Sequence, residues 1–420
     1  MGSVSKLLDQ LVLYRPAGLL ARLAPALDGA APAAPALRAL LDQAAANNWQ
    51  GDLWQCALAQ SLAESENPFS LACERREAAH DSLWLIALAD MAVYKALFAL
   101  ELPAPFDAVR RFRHDDPNAP RKEAGRRIQA LAEKLAGTDS PTAMLSALTV
   151  FYQRHGLGLL GLGELFRVTG EAGRAELFPV EGRRDVKLAD LVGYESQKSQ
   201  LLENTLAFLS GRRANNVLLY GDAGTGKSTS VQALANEYAP RGLRLIELYK
   251  HQFGLIPDLL GRVKSRNYRF ILLLDDLSFE ENEVEYKHLK AVMEGGGEAA
   301  PENVLIYATS NRRHLVRETW SDRADMEHDG DVHRSDTMEE KLSLAGRFGL
   351  QIYYPNPTFE EYHAIVRTLA RRTGALDAMT DEALRVAAAT WQVRHGSRSG
   401  RTAQQFVQDL LCRAPEERET

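Results

Sequence analysis

The sequence predicts an α/β chain with an all-α N-terminal domain, a five-stranded parallel sheet with helices on both faces, and a C-terminal helical lid. Three observations predict it. Over residues 1–160 Leu and Ala dominate and β-branched residues are sparse. Apolar side chains there recur at helical spacing, as in Leu85, Leu88, Ala89, Ala92, Ala96 and Ala99. From Val186 onward, five short apolar runs alternate with helical segments: Val217–Tyr220, Leu243–Leu248, Phe270–Leu274, Val304–Thr309 and Leu350–Tyr354. That alternation specifies parallel strands joined by right-handed helical crossovers. Beyond Pro357 the chain reads as helical again, in three pieces.

Taken in order, the helical half is divided by Pro-rich breaks at Ala30–Pro35, Pro103–Pro105 and Pro117–Pro120. Trp49, Trp54 and Trp84 are expected in its core. The apolar run Leu83–Leu100 is interrupted by Asp90 and Lys95. A charge near a bilayer centre costs roughly 2.5–3.5 kcal/mol, so the run is a buried core helix rather than a membrane span. Asp139-Ser140-Pro141 opens a helix that runs towards His155. A glycine-rich connector, Gly156–Gly163, then marks a boundary. The expected domains are the helical N-terminal domain at 1–160, a linker at 161–190, the α/β core at 191–356, the lid at 357–413 and a tail at 414–420. Within the lid, Thr358-Phe-Glu-Glu361 and Thr402-Ala-Gln-Gln405 both have the form of capping boxes.

Composition narrows the class. The 420 residues are 45% apolar and 25% charged, which excludes collagen-like and fully disordered chains. A net charge of −6 gives no whole-chain reason to expect nucleic acid or an anionic membrane as partner. Cys56, Cys73 and Cys412 are far apart, which excludes a disulfide framework or clustered-thiolate zinc site and suits a reducing compartment. With no apolar leader at the N-terminus and Lys6 where myristoylation wants Ser or Thr, a cytoplasmic protein without a membrane partner is expected.

The chemistry is concentrated in one loop. Gly221-Asp222-Ala223-Gly224-Thr225-Gly226-Lys227-Ser228 matches G-x-x-x-x-G-K-[ST], with a strand-like run before it and a helix-like run from Thr229 to Tyr238 after it. Glycines let the backbone curl so that successive N–H groups face phosphates, and the helix N-terminus adds partial positive charge. Lys227 is placed to reach the β- and γ-phosphates of ATP, and Ser228 to ligate Mg²⁺. The metal needs an acid on a neighbouring strand end, and Phe270-Ile-Leu-Leu-Leu274-Asp275-Asp276 supplies one. Asp275 is assigned to Mg²⁺ and Asp276 to polarising the attacking water, with Glu280 and Glu281 close by as rivals for the base.

With these motifs in view, Val186–Leu411 resembles the AAA+ ATPases. The resemblance implies that Asn311, ending Val304-Leu-Ile-Tyr-Ala-Thr-Ser-Asn311, orients the attacking water or contacts the γ-phosphate. It implies that Arg347, in Glu340-Lys-Leu-Ser-Leu-Ala-Gly-Arg347, reaches the γ-phosphate of a neighbouring subunit in a nucleotide-dependent ring or partial ring. Arg401 in Ser399-Gly-Arg-Thr402 resembles the lid's sensor arginine, with Arg398 as its competitor. Leu188-Ala-Asp-Leu191-Val192-Gly193-Tyr194 resembles the stretch that packs on adenine, which places Val192 and Gly193 at the base. GDAGTGKS, LLLDDLSFE and ATSNRRHL resemble more closely a bacterial AAA+-type family known as a domain of unknown function and described as ATP-binding. The compact core is similar to initiator and helicase-loader ATPases. The expected activity is ATP hydrolysis at a subunit interface, driving conformational change on a protein or nucleoprotein client recognised by the helical half. An ATP-gated assembly module with little turnover is the alternative, and a small-molecule kinase a third.

Weaker signals remain. Phe253-Gly254 is read as core packing, with a pore-facing loop the rival. His328-Asp329-Gly-Asp331-Val-His333 lies in an acidic insertion, 318–340, read as a solvated loop. Arg110–Arg127 holds Arg110, Arg111, Arg113, Arg121, Lys122, Arg126 and Arg127 against three acids, and its acids and prolines favour an exposed linker over a nucleic-acid contact.

Overall fold

The computed structural model describes residues 3–77, 81–116, 119–171, 173–180, 186–278, 284–294, 301–311, 344–375 and 379–413. Two compact units divide the chain: Met1–Glu164 with Pro179–Arg184, and Leu165–Phe178 with Asp185–Thr420.

The first unit is helical: α1 (Val4–Leu8), α2 (Gly18–Leu27), α3 (Ala33–Asn47), α4 (Leu53–Glu64), α5 (Pro68–Glu74), α6 (Asp81–Phe98), α7 (Lys122–Ala136), α8 (Pro141–His155) and α9 (Gly158–Leu162). As expected from Asp139-Ser140-Pro141, the Ser140 hydroxyl caps α8 by accepting the N–H of Ala143 (3.2 Å), and Pro141 needs no partner at the first helical position. Trp49 and Trp54 are fully buried, but Trp84 is 38% exposed. The correction follows from helix periodicity, since Trp84 and Leu85 share the outer face of α6 while Ala87, Met91 and Tyr94 fill the inner one. Asp90 is the buried exception on that inner face. Its carboxylate accepts the N–H groups of Val12 (3.0 Å), Leu13 (2.8 Å) and Tyr14 (3.0 Å), fixing the turn that follows α1. Replacing Asp90 by Ala strands three N–H donors. The expected cost is about 2–4 kcal/mol, read as a lower urea midpoint and early protease cleavage in the first 30 residues. The basic stretch is spent locally in part, Arg110 on Asp52 (3.7 Å) and Arg127 on Glu164 (2.8 Å).

The second unit is built on a sheet of β1 (Leu165–Glu171), β2 (Arg174–Pro179), β3 (Val217–Gly221), β4 (Leu243–Leu248), β5 (Arg269–Leu274), β6 (Val304–Ser310) and β7 (Leu350–Tyr354), in the order β2-β1-β4-β5-β6-β3-β7. All five expected strands form. They pair in parallel, with Leu245 opposite Ile271, Leu272 opposite Ile306, Leu218 opposite Ala308 and Leu219 opposite Ile352. The sheet is wider than five strands because residues expected as linker, within 161–190, supply β1 and β2. β1 adds in parallel to β4, burying Leu165, Phe166 and Val168, and its Arg167 pairs with Glu247 (3.3 Å). A strand of seven residues carrying Arg, Thr, Gly and Glu lacks the unbroken apolar run of its neighbours. Around the sheet run α10 (Glu195–Leu209), α11 (Lys227–Tyr238), α12 (Ile256–Val263) and α13 (Val284–Glu294).

The lid comprises α14 (Phe359–Thr373), α15 (Asp381–His395) and α16 (Gly400–Arg413) around Tyr362, Val366, Leu384, Ala388, Ala403 and Phe406. Thr358 and Glu361 form the expected capping box, with Thr358 N–H donating to Glu361 Oε2 (2.7 Å) and Glu361 N–H to Thr358 Oγ1 (3.3 Å). The second expected box is displaced. α16 begins at Gly400, and Thr402 donates its N–H to Ser399 Oγ (3.1 Å), so Ser399 is the cap and Thr402 lies in the first turn. Phe253 is buried at 1% exposure, facing the core rather than an opening. Among the described residues no helix is long and apolar enough to cross a membrane. Glu280, Glu281, the 318–340 insertion with its His–Asp cluster, and the 414–420 tail lie outside the described residues.

Candidate functional site

At the end of β3 the chain turns sharply at Gly221 (φ 137°), where a Cβ would lie 2.1 Å from Tyr354 O of β7. No other residue fits there. The loop then passes Asp222, Ala223, Gly224 and Thr225, whose hydroxyl donates to Asp222 O (2.9 Å), and enters α11 through Gly226 at φ 91°. Asp222 is tied back by the N–H of Asn356 (3.2 Å). Thr229, half-buried, is in the first turn of α11, where a helix's own geometry leaves the N-terminal amides without intrahelical partners.

Lys227 is buried, and its ammonium donates to Gly221 O (2.9 Å), Asp222 O (2.7 Å) and Asn311 Oδ1 (3.1 Å). Burial pulls its pKa below the ordinary lysine value; Asp222, Asp276 and Asp275 pull upward, and Arg401 adds to the lowering. Ser228 donates its hydroxyl to Asp275 Oδ1. Asn311 Nδ2 donates to Asp276 Oδ1 (2.7 Å), while Asp276 itself holds φ 54°, an uncommon backbone state for a residue with a side chain. Lys227, Ser228, Asp275, Asp276 and Asn311, drawn from three segments of sequence, thus form one cluster.

The lid touches the loop at Gly224. Gly400 donates its N–H to Gly224 O (2.9 Å), and a Cβ on Gly224 would lie 2.9 Å from Ser399 Oγ and 3.2 Å from Arg401 Cβ. Arg401 therefore stands against the loop, while Arg398 is exposed one residue before the cap. With Gly224 at φ 76°, a Gly224→Ala protein is expected to carry about 1–3 kcal/mol of strain and to release the lid. Hydrogen exchange at Gly400 and Thr402 should then rise by about tenfold or more.

Leu191 lies beside Gly226, with Cδ2 3.7 Å from where its Cβ would be, and Val192 and Gly193 (φ 79°) follow, half-buried. Lys198 donates to Leu191 O (2.8 Å), and Asp190 pairs with Arg372 of α14 (2.6 Å), so this segment is held by core and lid together.

Arg347 is not brought to this cluster. It occupies an exposed turn before β7, and Leu350 pairs with Val217 in parallel register. The Arg347 turn therefore lies off the edge where β3 and β7 begin, whereas the loop leaves from the edge where they end. About five strand residues, roughly 17 Å, separate the two edges.

Sequence reasoning missed two participants. Ser399 caps α16 against Gly224, and Thr309 donates to Asp275 Oδ1 (2.6 Å) while accepting the N–H of Asp276 (3.0 Å). The signal for Thr309 was its place two residues before Asn311; nothing in the sequence marked Ser399 as a contact of the loop.

The donor set fits a small hard cation with a triphosphate. A hydroxyl and a carboxylate already touch beside a helix N-terminus, and no three His, Cys, Asp or Glu side chains converge among the described residues. Magnesium, which keeps waters and leans on substrate phosphates, suits so sparse a protein share.

A family model described as "Protein of unknown function (DUF815)" matches residues 164–414, well over half of the chain. The match begins where the first compact unit gives way to the second. Among curated proteins, a Replication factor C large subunit from Staphylothermus marinus is 39% identical over 77 residues, 18% of each chain. A protein of the same name from Methanococcus maripaludis is 29% identical over 102 residues, 23% of this chain and 21% of the relative. The chain thus spans about a fifth of the length of the curated relatives it matches. Two mutants of Thermotoga maritima RuvB align over 54% of this chain and 64% of theirs, at 17% and 19% identity with TM-scores of 0.36 and 0.37.

Proposed function

The chain belongs to the DUF815 family of proteins of unknown function, and from that premise we propose that it is an AAA+ ATPase whose sites are completed between subunits. The observation that carries the reading is the single cluster of Lys227, Ser228, Asp275, Asp276 and Asn311 at the C-terminal edge of the sheet. Loop amides and the start of α11 would hold the β- and γ-phosphates of ATP, and Lys227 would exchange its carbonyl partners for phosphate oxygens. Leu191, Val192 and Gly193 would flank the base. Ser228 and Asp275 would hold Mg²⁺, which when bound would supply charge neutralisation for the phosphates. Asp276 would take the proton of the attacking water, with Asn311 fixing where that water sits. Arg401 would report the γ-phosphate to the lid through the Gly224–Ser399 contact.

Arg347 is assigned to a neighbour's site because its own loop leaves from the opposite edge of the sheet. Hydrolysis would then require two chains in head-to-tail contact, as in a ring or partial ring. The helical N-terminal half would recognise a protein or nucleoprotein client. In the test, phosphate release is measured against protein concentration, and specific activity should rise as chains associate. A specific activity that stays flat over a hundredfold range would refute the shared site.

One observation favours the alternative of an ATP-gated assembly module with little turnover. Asp276 and Asn311 satisfy each other at 2.7 Å, so the pair that would position water is occupied by itself. Under that reading a single turnover occurs only when a partner is added. Steady turnover by the protein alone excludes it.

A further inference from the structure

We infer that Thr309 is the positioning residue of the metal-side acids, clipping Asp275 and Asp276 together so that the carboxylate of Asp275 stays aimed whether or not Ser228 is engaged. The inference rests on the nucleotide reading proposed above and deepens it.

Thr309 is the penultimate residue of β6 and is 2% exposed. Its hydroxyl has both roles filled: the proton goes to Asp275 Oδ1 (2.6 Å) and an oxygen lone pair takes the Asp276 N–H (3.0 Å). A hydroxyl that donates and accepts at once has its rotation fixed, and a β-branched side chain adds stiffness at χ1. The backbone around it extends the clasp. Leu277 N–H donates to Thr309 O (2.6 Å), and Ser310 Oγ donates to Leu277 O (2.7 Å). β6 therefore grips residues 275–277 just past the last paired position of β5, Leu274 opposite Ala308.

Two consequences follow. Asp276 holds φ 54°, a backbone state that persists only where the surroundings over-determine it, and the Thr309 hydroxyl supplies the bond at its N–H. Asp275 Oδ1 receives two hydroxyls, from Ser228 and from Thr309. Ser228 belongs to α11 and would turn towards a cation. Thr309 belongs to a central strand and would not. It is then the bond to Thr309 that keeps Asp275 oriented when Ser228 leaves.

The test compares full-length wild-type, Thr309→Val and Thr309→Ser proteins by the affinity for a fluorescent ATP analogue, with Mg²⁺ and with EDTA. The readout is the metal-dependent gain in affinity. Removing an outer partner of a metal ligand typically costs about 10–100-fold in metal affinity. In Thr309→Val the gain is expected to shrink by about tenfold or more, with affinity in EDTA within about twofold of wild type. Thr309→Ser, which keeps the hydroxyl, should hold the gain within about threefold. An unchanged gain in the Val protein overturns the inference, as does equal loss of binding with and without Mg²⁺. Should the Val protein not fold, the Ser protein decides, since loss of the gain there contradicts a role for the hydroxyl. A wild-type protein that binds no ATP analogue under either condition overturns the nucleotide reading itself, and the role of Thr309 falls with it. Wild-type binding with a metal-dependent gain that ignores Thr309 overturns the role of Thr309 alone.

Discussion

Replacing Lys227 by Ala is expected to weaken Mg·ATP binding by about two to three orders of magnitude and to abolish turnover. Lys227 is the first residue of α11, and its ammonium spans from the loop carbonyls of Gly221 and Asp222 to Asn311 just past the neighbouring strand β6. A unit charge about 4 Å from a phosphate oxygen, at an effective dielectric near 20, is worth about 4 kcal/mol, or roughly a thousandfold in affinity. The loop amides remain in the variant and set a floor to the loss. Calorimetric titration of Mg·ATP into the full-length protein measures it. Wild-type affinity in the Lys227→Ala protein would remove the lysine from the site.

Arg347→Ala should behave in the opposite way, with affinity for ATP unchanged and turnover reduced by about a thousandfold or more, the usual worth of an arginine supplied in trans. The separation follows from the sheet. Val217 pairs with Leu350 at the start of both strands, so the Arg347 turn and the loop after Gly221 stand at opposite edges of one core. Gly349 helps set that turn, because a Cβ there would lie 2.5 Å from Asn215 Oδ1 beside the start of β3. An arginine at that edge stands about a strand's length from its own chain's loop, which is why the proposed site takes it from another chain. Binding and single-turnover assays on the same variant test this, and turnover near wild type would refute the shared site.

Much of the core was legible in the sequence because central parallel strands, buried on both faces, read as unbroken apolar runs. Phe270–Leu274 and Val304–Thr309 are such runs, and each leads into polar residues at the edge where open α/β sheets in general bind ligands. β1 was not legible for the converse reason. At the outer part of the sheet it buries Leu165, Phe166 and Val168 but exposes Arg167, Thr169, Gly170 and Glu171, a pattern close to loop composition. The loop between β3 and α11 was legible through its glycines, because Gly221, Gly224 and Gly226 all take a positive φ that side-chain-bearing residues adopt only at a cost. Thr309 and Ser399 were hidden because each acts through contacts between segments distant in sequence. The hydroxyl of Thr309 meets residues 34 and 33 positions away, and no local pattern encodes such a meeting. Trp84 departs from the expected core because its position on α6 puts it on the outer face with Leu85.

The central claim is that the lysine loop and the arginine that completes its site reside on different chains, and mixing Lys227→Ala with Arg347→Ala protein tests it most directly. Each alone should be inactive. In an equal mixture, about a quarter of head-to-tail interfaces join an intact loop to an intact arginine, so phosphate release should return to a comparable fraction of wild type. If wild type hydrolyses ATP and no ratio of the two variants restores activity, the site is not shared and the account is wrong.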